Sequence, residues 1–163
     1  MGSDSRQLGH YNEAKEHHEK GLVIFKKIFG EEHADVASSY NKLGNDYRHL
    51  GQYNEAKEYH EKALIICKKI FGKEHATVAA SYNNLGNDYQ QLGQNNEGKE
   101  YHEKALIINK KIFSEEHADV ASSYNNLGND YHKLGKCNEA KEYHEKALII
   151  YKKIFGEEHA DVA

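Results

Sequence analysis

The chain has 163 residues, of which 38% are hydrophobic, and its 22 basic and 26 acidic side chains give a formal net charge of −4. Charges of both signs are mixed along the chain, which leaves no basic patch of the kind that nucleic-acid binding requires. No apolar run approaches the roughly 18 residues of a membrane span, and the N-terminus lacks the basic and apolar regions of a signal peptide. We therefore expect a cytoplasmic protein that binds neither nucleic acid nor membrane.

One segment is repeated along the chain with small changes. Its copies begin at Leu8, Leu50, Leu92 and Leu134, so that each start lies 42 residues after the last. A fixed period of this size is typical of a stack of similar supersecondary units. We divide the chain into a tail or cloning remnant at 1–7 and a single array at 8–163, which comprises a half repeat (8–32), three repeats (33–74, 75–116, 117–158) and the start of another (159–163).

The spacing of apolar and small residues predicts seven α-helices in which long and short helices alternate. These residues recur at intervals of three and four, which places them on one helical face. Gly51 follows the first short helix in the position of a C-terminal cap, and Asp35 lies in its first turn, where the helix dipole favours a carboxylate. The predicted helices cover residues 9–29, 34–50, 53–71, 77–92, 95–113, 119–134 and 137–155.

The repeated positions resemble the signature of the tetratricopeptide repeat. In one copy they are Tyr40, Leu43-Gly44, Tyr47, Gly51, Tyr53, Ala56 and Ala63-Leu64. The usual unit has about 34 residues, and the eight additional residues here add ~12 Å to the long helix. This longer form resembles the repeats of kinesin light chain and of nephrocystin-3-like proteins. The resemblance implies an all-α, right-handed solenoid of antiparallel helix pairs that acts as a protein-interaction scaffold, with ligands on its concave face.

The third long helix departs from the pattern at three positions. Gly98 replaces an alanine, Asn95 replaces an aromatic residue, and Ser114 replaces the glycine that follows the helix. A glycine inside a helix costs about 1 kcal/mol relative to alanine. We expect this repeat to be the least stable of the array.

The short helices carry polar positions that we predict to line the inner curve of the solenoid. Each has two asparagines four residues apart, and an asparagine amide can both donate to and accept from a peptide backbone. Because helices pack ~8 to 10 Å apart and a strand rises ~3.3 Å per residue, one repeat would contact about three peptide residues. The candidate binding residues are Ser38, Asn41, Asn45, Arg48, His49, Asn83, Asn87, Gln90, Gln91, Asn125, Asn129, His132 and Lys133. The alternative is that these asparagines bond within the helix pair or remain solvated, and are alike only because the repeats are duplications.

Two kinds of partner are consistent with this sequence. The positions that vary between repeats are mildly basic, through Arg48 and Lys133, which favours an acidic peptide or a C-terminal carboxylate. Alternatively, apolar residues at the two ends of the array could stack head to tail or exchange helices to form a homo-oligomer. Sedimentation at several concentrations distinguishes the two.

The chain shows no pattern typical of a metal site, a cofactor site or a catalytic centre. Eight of its 12 histidines form two sets with one member per repeat, too far apart to share a zinc ion, so we expect them to cap helices or pack. Cys67 and Cys137 occupy non-equivalent positions, which predicts free thiols. A strained nucleophile turn and a glycine-rich phosphate loop are both lacking, and we do not expect an enzyme.

Overall fold

The computed structural model describes residues 2–156, with side chains from residue 7 onward. These residues form seven α-helices and no strand, as predicted: α1 (Gly2–Phe29), α2 (Ala34–His49), α3 (Tyr53–Phe71), α4 (Ala76–Gln91), α5 (Asn95–Ile112), α6 (Ala118–Lys133) and α7 (Cys137–Phe155). The chain divides into two compact units, Met1–Lys73 and Glu74–Ala163, and each is described here by itself. The further repeat expected at 159–163 lies outside the described residues.

Histidine begins each short helix. The side chains of His33, His75 and His117 accept a hydrogen bond from the backbone N–H two residues later, at 3.2, 3.2 and 3.1 Å. Such a bond satisfies one of the four N–H groups that a helix start leaves without a partner. The capping role predicted for this set of histidines is confirmed.

Glycines end most of the helices, but Gly9 does not. Gly51, Gly93 and Gly135 have φ angles of +74°, +75° and +75°, which side chains other than glycine rarely adopt. Gly9 occupies the same repeat position but lies inside α1, which begins at Gly2 rather than at the predicted residue 9. Residues 2–9 contain no proline, and one glycine costs a helix only about 1 kcal/mol, so nothing in their sequence stops the helix.

Ser114 shortens the long helix that precedes it. Gly72 and Gly156 follow α3 and α7 with φ of +83° in both cases, and these helices have 19 residues. At the equivalent position Ser114 would be strained in that conformation. The helix α5 instead ends after 18 residues, at Ile112, and Phe113 is extended.

The core of each unit lies between a short helix and its neighbouring long helices. In the second unit it includes Val120 and Ala121 of α6 with Ala147 and Ile150 of α7. In the first unit it includes Val36, Ala37 and Leu43 of α2 with Ala56, Ala63 and Leu64 of α3. Burial of these side chains leaves the polar residues of the short helices on the opposite side.

Pairs of tyrosine rings wedge between the helices of each pair. Tyr47 stacks on Tyr59 with ring centroids 5.1 Å apart, and Tyr131 stacks on Tyr143 at the same distance. Burial raises the pKa of Tyr143, and the neighbouring Tyr131 adds to the rise. Burial, together with Tyr59 and Glu19, also raises the pKa of Tyr47, whose hydroxyl donates to Glu19 Oε1 at 3.2 Å. The wedges therefore hold neutral phenols at physiological pH.

Candidate functional site

Helices α4 and α6 of the second unit lie side by side and present a polar surface, which we call the short-helix face. It consists of Ala80, Asn83, Asn87, Gln90 and Gln91 of α4 with Ser122, Asn125, Asn129, His132 and Lys133 of α6. The helices are linked by hydrogen bonds from Asn126 Nδ2 to Asn83 Oδ1 (3.4 Å) and from Lys133 Nζ to Gln90 Oε1 (3.3 Å). In the first unit, the same repeat positions are Ser38, Asn41, Asn45, Arg48 and His49 of α2.

The first asparagine of the short helix is hydrogen-bonded within the unit in α4 and α6 but, among the described residues, not in α2. Asn83 accepts from Asn126, and Asn125 Oδ1 lies 3.3 Å from His144 Nδ1. The Oδ1 atom of Asn41 is buried and has no hydrogen-bond partner. Asn125 and Asn83 thus show internal bonding of the kind expected if these residues were structural.

The second asparagine of each short helix differs from the first in its hydrogen bonding. The side-chain amides of Asn45, Asn87 and Asn129 have no hydrogen-bond partner among the described residues. Asn45 and Asn87 are half-buried, and Asn129 is exposed. Each unpaired amide has two donors and one acceptor available to a ligand.

Some of the variable residues at the ends of the short helices already contact other side chains of the protein. Arg48 lies 3.4 Å from His60 Nδ1, and His49 stacks on Tyr11 with ring centroids 4.5 Å apart. Gln90 Nε2 donates to Asp130 Oδ1, while its Oε1 accepts from Lys133. Gln91, His132 and Lys133 are exposed. Gln90 is therefore a structural link between α4 and α6 as well as a candidate for recognition.

Histidine–aspartate pairs in the interior are the feature that the sequence analysis missed. His18 Nδ1 lies 2.5 Å from Asp46 Oδ2, and His102 Nδ1 lies 2.7 Å from Asp130 Oδ2. Because a carboxylate only accepts, His102 Nδ1 carries a proton and donates it. His102 Nε2 is buried without a partner, which favours the tautomer in which it carries no proton. The signal was available, since both pairs are 28 residues apart in the sequence.

Glycine makes room for these histidine rings. A methyl group added at Gly86 would lie 2.5 Å from His102 Cδ2, and one added at Gly44 would lie 2.5 Å from His60 Cδ2. Real side chains essentially never approach so closely. The packing role predicted for the histidines of the long helices is confirmed for His60 and His102, which are fully buried.

The described residues contain no group of three or more histidine, cysteine, aspartate or glutamate side chains able to hold a metal ion. Cys67 and Cys137 are both free thiols, the first buried and the second exposed. None of the described helices is long and apolar enough to cross a membrane.

Helix pairs with a regular period, small residues at the crossings and stacked tyrosines define a helical repeat protein. A family model described as tetratricopeptide repeat matches residues 1–69, 35–97, 77–153 and 119–163. The chain belongs to the tetratricopeptide repeat family. Proteins of this family are generally non-catalytic, and membership supports a role as a protein–protein interaction scaffold.

Solved structures show the same fold. BtubC (BKLC) of P. vanneervenii is 28% identical with a TM-score of 0.83, and the match covers 93% of this chain and 60% of that one. A kinesin light chain-like protein of Podospora anserina with nearly identical TPR-like repeats is 30% identical with a TM-score of 0.81, over 98% and 76% of the two chains. The TPR domain of Arabidopsis FLU, 19% identical with a TM-score of 0.64 over 72% and 95%, shares the fold. No curated protein matches the chain significantly.

Proposed function

We propose that the protein binds an extended peptide segment of a partner protein along the short-helix face. The observation that carries this proposal is the pair of side-chain amides at Asn87 and Asn129, which occupy equivalent positions of α4 and α6 and have no hydrogen-bond partner among the described residues. These amides are not among the buried unsatisfied groups, so their donors and acceptors face solvent, where a ligand can reach them. A peptide backbone supplies both the donor and the acceptor that such an amide lacks, whatever its side chains.

The spacing of neighbouring short helices matches the length of about three residues of an extended peptide. The amides of Asn87 and Asn129 occupy equivalent positions on α4 and α6, which hydrogen bonds hold side by side. Helices in contact are ~8 to 10 Å apart, close to the length of three residues of an extended strand. Successive asparagines would therefore contact every third residue of the peptide.

The charge of the face favours an acidic segment. Lys133 is exposed and uses one of its three donors on Gln90, and the exposed His132 precedes it. A carboxylate on the peptide would accept a charge-assisted hydrogen bond from Lys133. Reversing the charge with Lys133→Glu should weaken binding of an acidic peptide, whereas Lys141→Glu on the exposed side of α7 should not. Equal affinities for the two variants would rule out the acidic preference.

Selection from a library of random linear peptides tests the proposal. The double variant Asn87→Ala/Asn129→Ala should lose about 1 to 3 kcal/mol of binding free energy for the selected peptides, because each lost hydrogen bond contributes about 0.5 to 1.5 kcal/mol. The matched control is Asn96→Ala/Asn138→Ala, which removes two exposed amides from the long helices. If both double variants bind as well as the unmodified chain, the ligand site is not on the short-helix face.

A second candidate function is self-association, which exposed apolar residues of α1 favour. Ile24 is 55% exposed, whereas the residues at the same repeat position, Ile66, Ile108 and Ile150, are 6 to 7% exposed. Covering the exposed half of this side chain is favourable by about 1 to 1.5 kcal/mol. Sedimentation over a wide concentration range measures this, with Ile24→Lys as the variant. A monomer at all concentrations would exclude the second function and leave the first unaffected.

A further inference from the structure

A small cavity of about 100 Å³ lies at the end of the short-helix face where α4 and α6 begin. Three of its lining residues, Ala80, Asn83 and Ser122, belong to that face. The remaining lining residues are Ala76, Asn109 and Asp119. A cavity of this volume can hold a side chain of a few heavy atoms.

Asn109 is the unusual residue in this cavity. It comes from α5 and is only 4% exposed. The same position of the other long helices holds Phe25, Cys67 and Tyr151. A buried amide in a position that is apolar or aromatic elsewhere needs hydrogen-bond partners of its own.

The partners of Asn109 fix the orientation of its amide. Its Nδ2 donates to Ser123 Oγ at 3.0 Å and to the backbone oxygen of Asp119 at 3.4 Å. Ser123 Oγ donates its own proton to that same backbone oxygen at 2.9 Å. Both partners of Asn109 therefore act as acceptors, and only the NH₂ group of the amide can face them.

This orientation leaves the amide oxygen of Asn109 available to the cavity. No described residue donates a hydrogen bond to Asn109 Oδ1. Asp119 also lines the cavity, and Ala76 and Ala80 add apolar surface. The Asn109 oxygen can accept from a hydrogen-bond donor, while the Ser122 hydroxyl and the NH₂ group of Asn83 can donate to the same group.

We propose that the cavity receives one short side chain of the bound peptide that ends in a hydrogen-bond donor, namely serine, threonine or asparagine. The hydroxyl or amide donates to Asn109 Oδ1, and the alanine methyl groups contact the rest of the side chain. This proposal rests on the proposed function, because a peptide on the short-helix face must carry the side chain to the cavity. Asn109 is then a specificity-determining residue found in one repeat only.

The test is selection from a library of random linear peptides, followed by sequencing of the bound pool. We expect one peptide position to be enriched several-fold in serine, threonine or asparagine. The variant Asn109→Cys removes the amide oxygen and introduces the residue that Cys67 places at the same repeat position, where it is 1% exposed. It should reduce the enrichment at that position to background while other positions remain enriched.

Two further variants control for folding and for position. Ala80→Leu fills the cavity from an exposed position of α4 and should also abolish the enrichment. Ser38→Leu introduces the same side chain at the equivalent exposed position of α2, which does not line this cavity, and should leave the enrichment intact. If Asn109→Cys fails to give a helical circular dichroism spectrum, Ala80→Leu decides the question.

The failure of this inference is distinguishable from the failure of the proposed function. A short donor side chain that stays enriched in Asn109→Cys or in Ala80→Leu overturns the inference, as does its absence from the pool selected by the unmodified chain. In both cases, loss of binding in Asn87→Ala/Asn129→Ala still supports peptide binding. A pool without any selected peptide overturns both.

Discussion

The two helix pairs of the second unit, α4 with α5 and α6 with α7, have nearly the same sequence but differ around one histidine. In the first pair His102 is fully buried, and its Nδ1 bonds Asp130 of the next short helix. In the second pair His144 is half-buried, and its Nδ1 lies 3.3 Å from Asn125 Oδ1. The part of the chain that the structure describes places no aspartate against His144.

The same two pairs also differ on the short-helix face. Asn83 and Asn125 occupy the same repeat position, but only Asn125 contacts a histidine of its own pair. Asn83 accepts a hydrogen bond from Asn126 of α6, and His102 bonds Asp130 of α6. The two equivalent asparagines are therefore held by different neighbours.

Replacing the two histidines should give the largest contrast between the pairs. His102→Ala removes a buried ring and leaves the buried Asp130 carboxylate with only Gln90 as a donor, which we expect to cost about 3 to 5 kcal/mol. His144→Ala should cost less than about 2 kcal/mol, because its ring is half-buried and its bond is long. Urea unfolding followed by circular dichroism measures both. Equal losses would show that the histidine–aspartate pair contributes little.

Replacing the glycines that contact these histidines should destabilise the two pairs in the same order, but by smaller amounts. A methyl group at Gly86 would lie 2.5 Å from Cδ2 of the enclosed His102, and one at Gly128 would lie 2.6 Å from Cε1 of His144. We expect Gly86→Ala to destabilise the fold by about 2 to 3 kcal/mol, and Gly128→Ala by about 1 kcal/mol, because His144 has room to move. Hydrogen exchange in α5 and α7 reports each pair separately. Greater loss of protection in Gly128→Ala would contradict this order.

A third prediction concerns Gly98 of α5, which is Ala140 in α7. A methyl group at Gly98 would lie 3.0 Å from the backbone oxygen of Gly86, a tight contact. The buried Ala140 shows that this position can hold a methyl group. We therefore expect Gly98→Ala to stabilise the protein by about 1 kcal/mol or slightly less, whereas Ala140→Gly should destabilise it by a similar amount. If the Gly98→Ala variant is destabilised instead, the backbone of α4 cannot move away from the added methyl group.

The smallest expected effect is on alkaline stability. The pKa of Tyr143 is raised by burial and by Tyr131, so the folded state holds its phenolic proton more tightly than the unfolded state does. Its contribution is fully present below the ordinary tyrosine pKa of 10 and is lost as pH rises toward the folded pKa. The free energy of unfolding should thus fall above pH 10, and fall less steeply in Tyr143→Phe. Identical pH profiles of the two proteins would refute this.

Periodicity alone predicts the fold well, because every helix boundary recurs with the same spacing. The bounds of α3 and α7 agree with the prediction, those of α2 and α5 differ by one residue at the C-terminal end, and those of α4 and α6 differ by one residue at both ends. The start of α1 was missed, because the pattern that caps three other helices with glycine does not act at Gly9. Local rules describe an average repeat, and they fail where the surroundings of one copy differ.

The site was harder to predict for the same reason. Sequence reasoning named the asparagines of the short helices but could not separate the unpaired Asn87 from Asn83, since both follow the same periodic pattern. It also passed over Asp130 and Asn109, whose roles depend on contacts between helices that are distant in sequence. Such contacts become visible only when the neighbouring repeat is in place.

The most direct test of peptide binding is the response of the side-chain amides themselves. In ¹⁵N-labelled protein, addition of a peptide selected from a random library should shift the NH₂ signals of Asn87 and Asn129, whereas those of Asn96 and Asn138 on the long helices should not move. Shifts confined to the long helices, or saturation of binding with the signals of Asn87 and Asn129 unchanged, would contradict the proposed site.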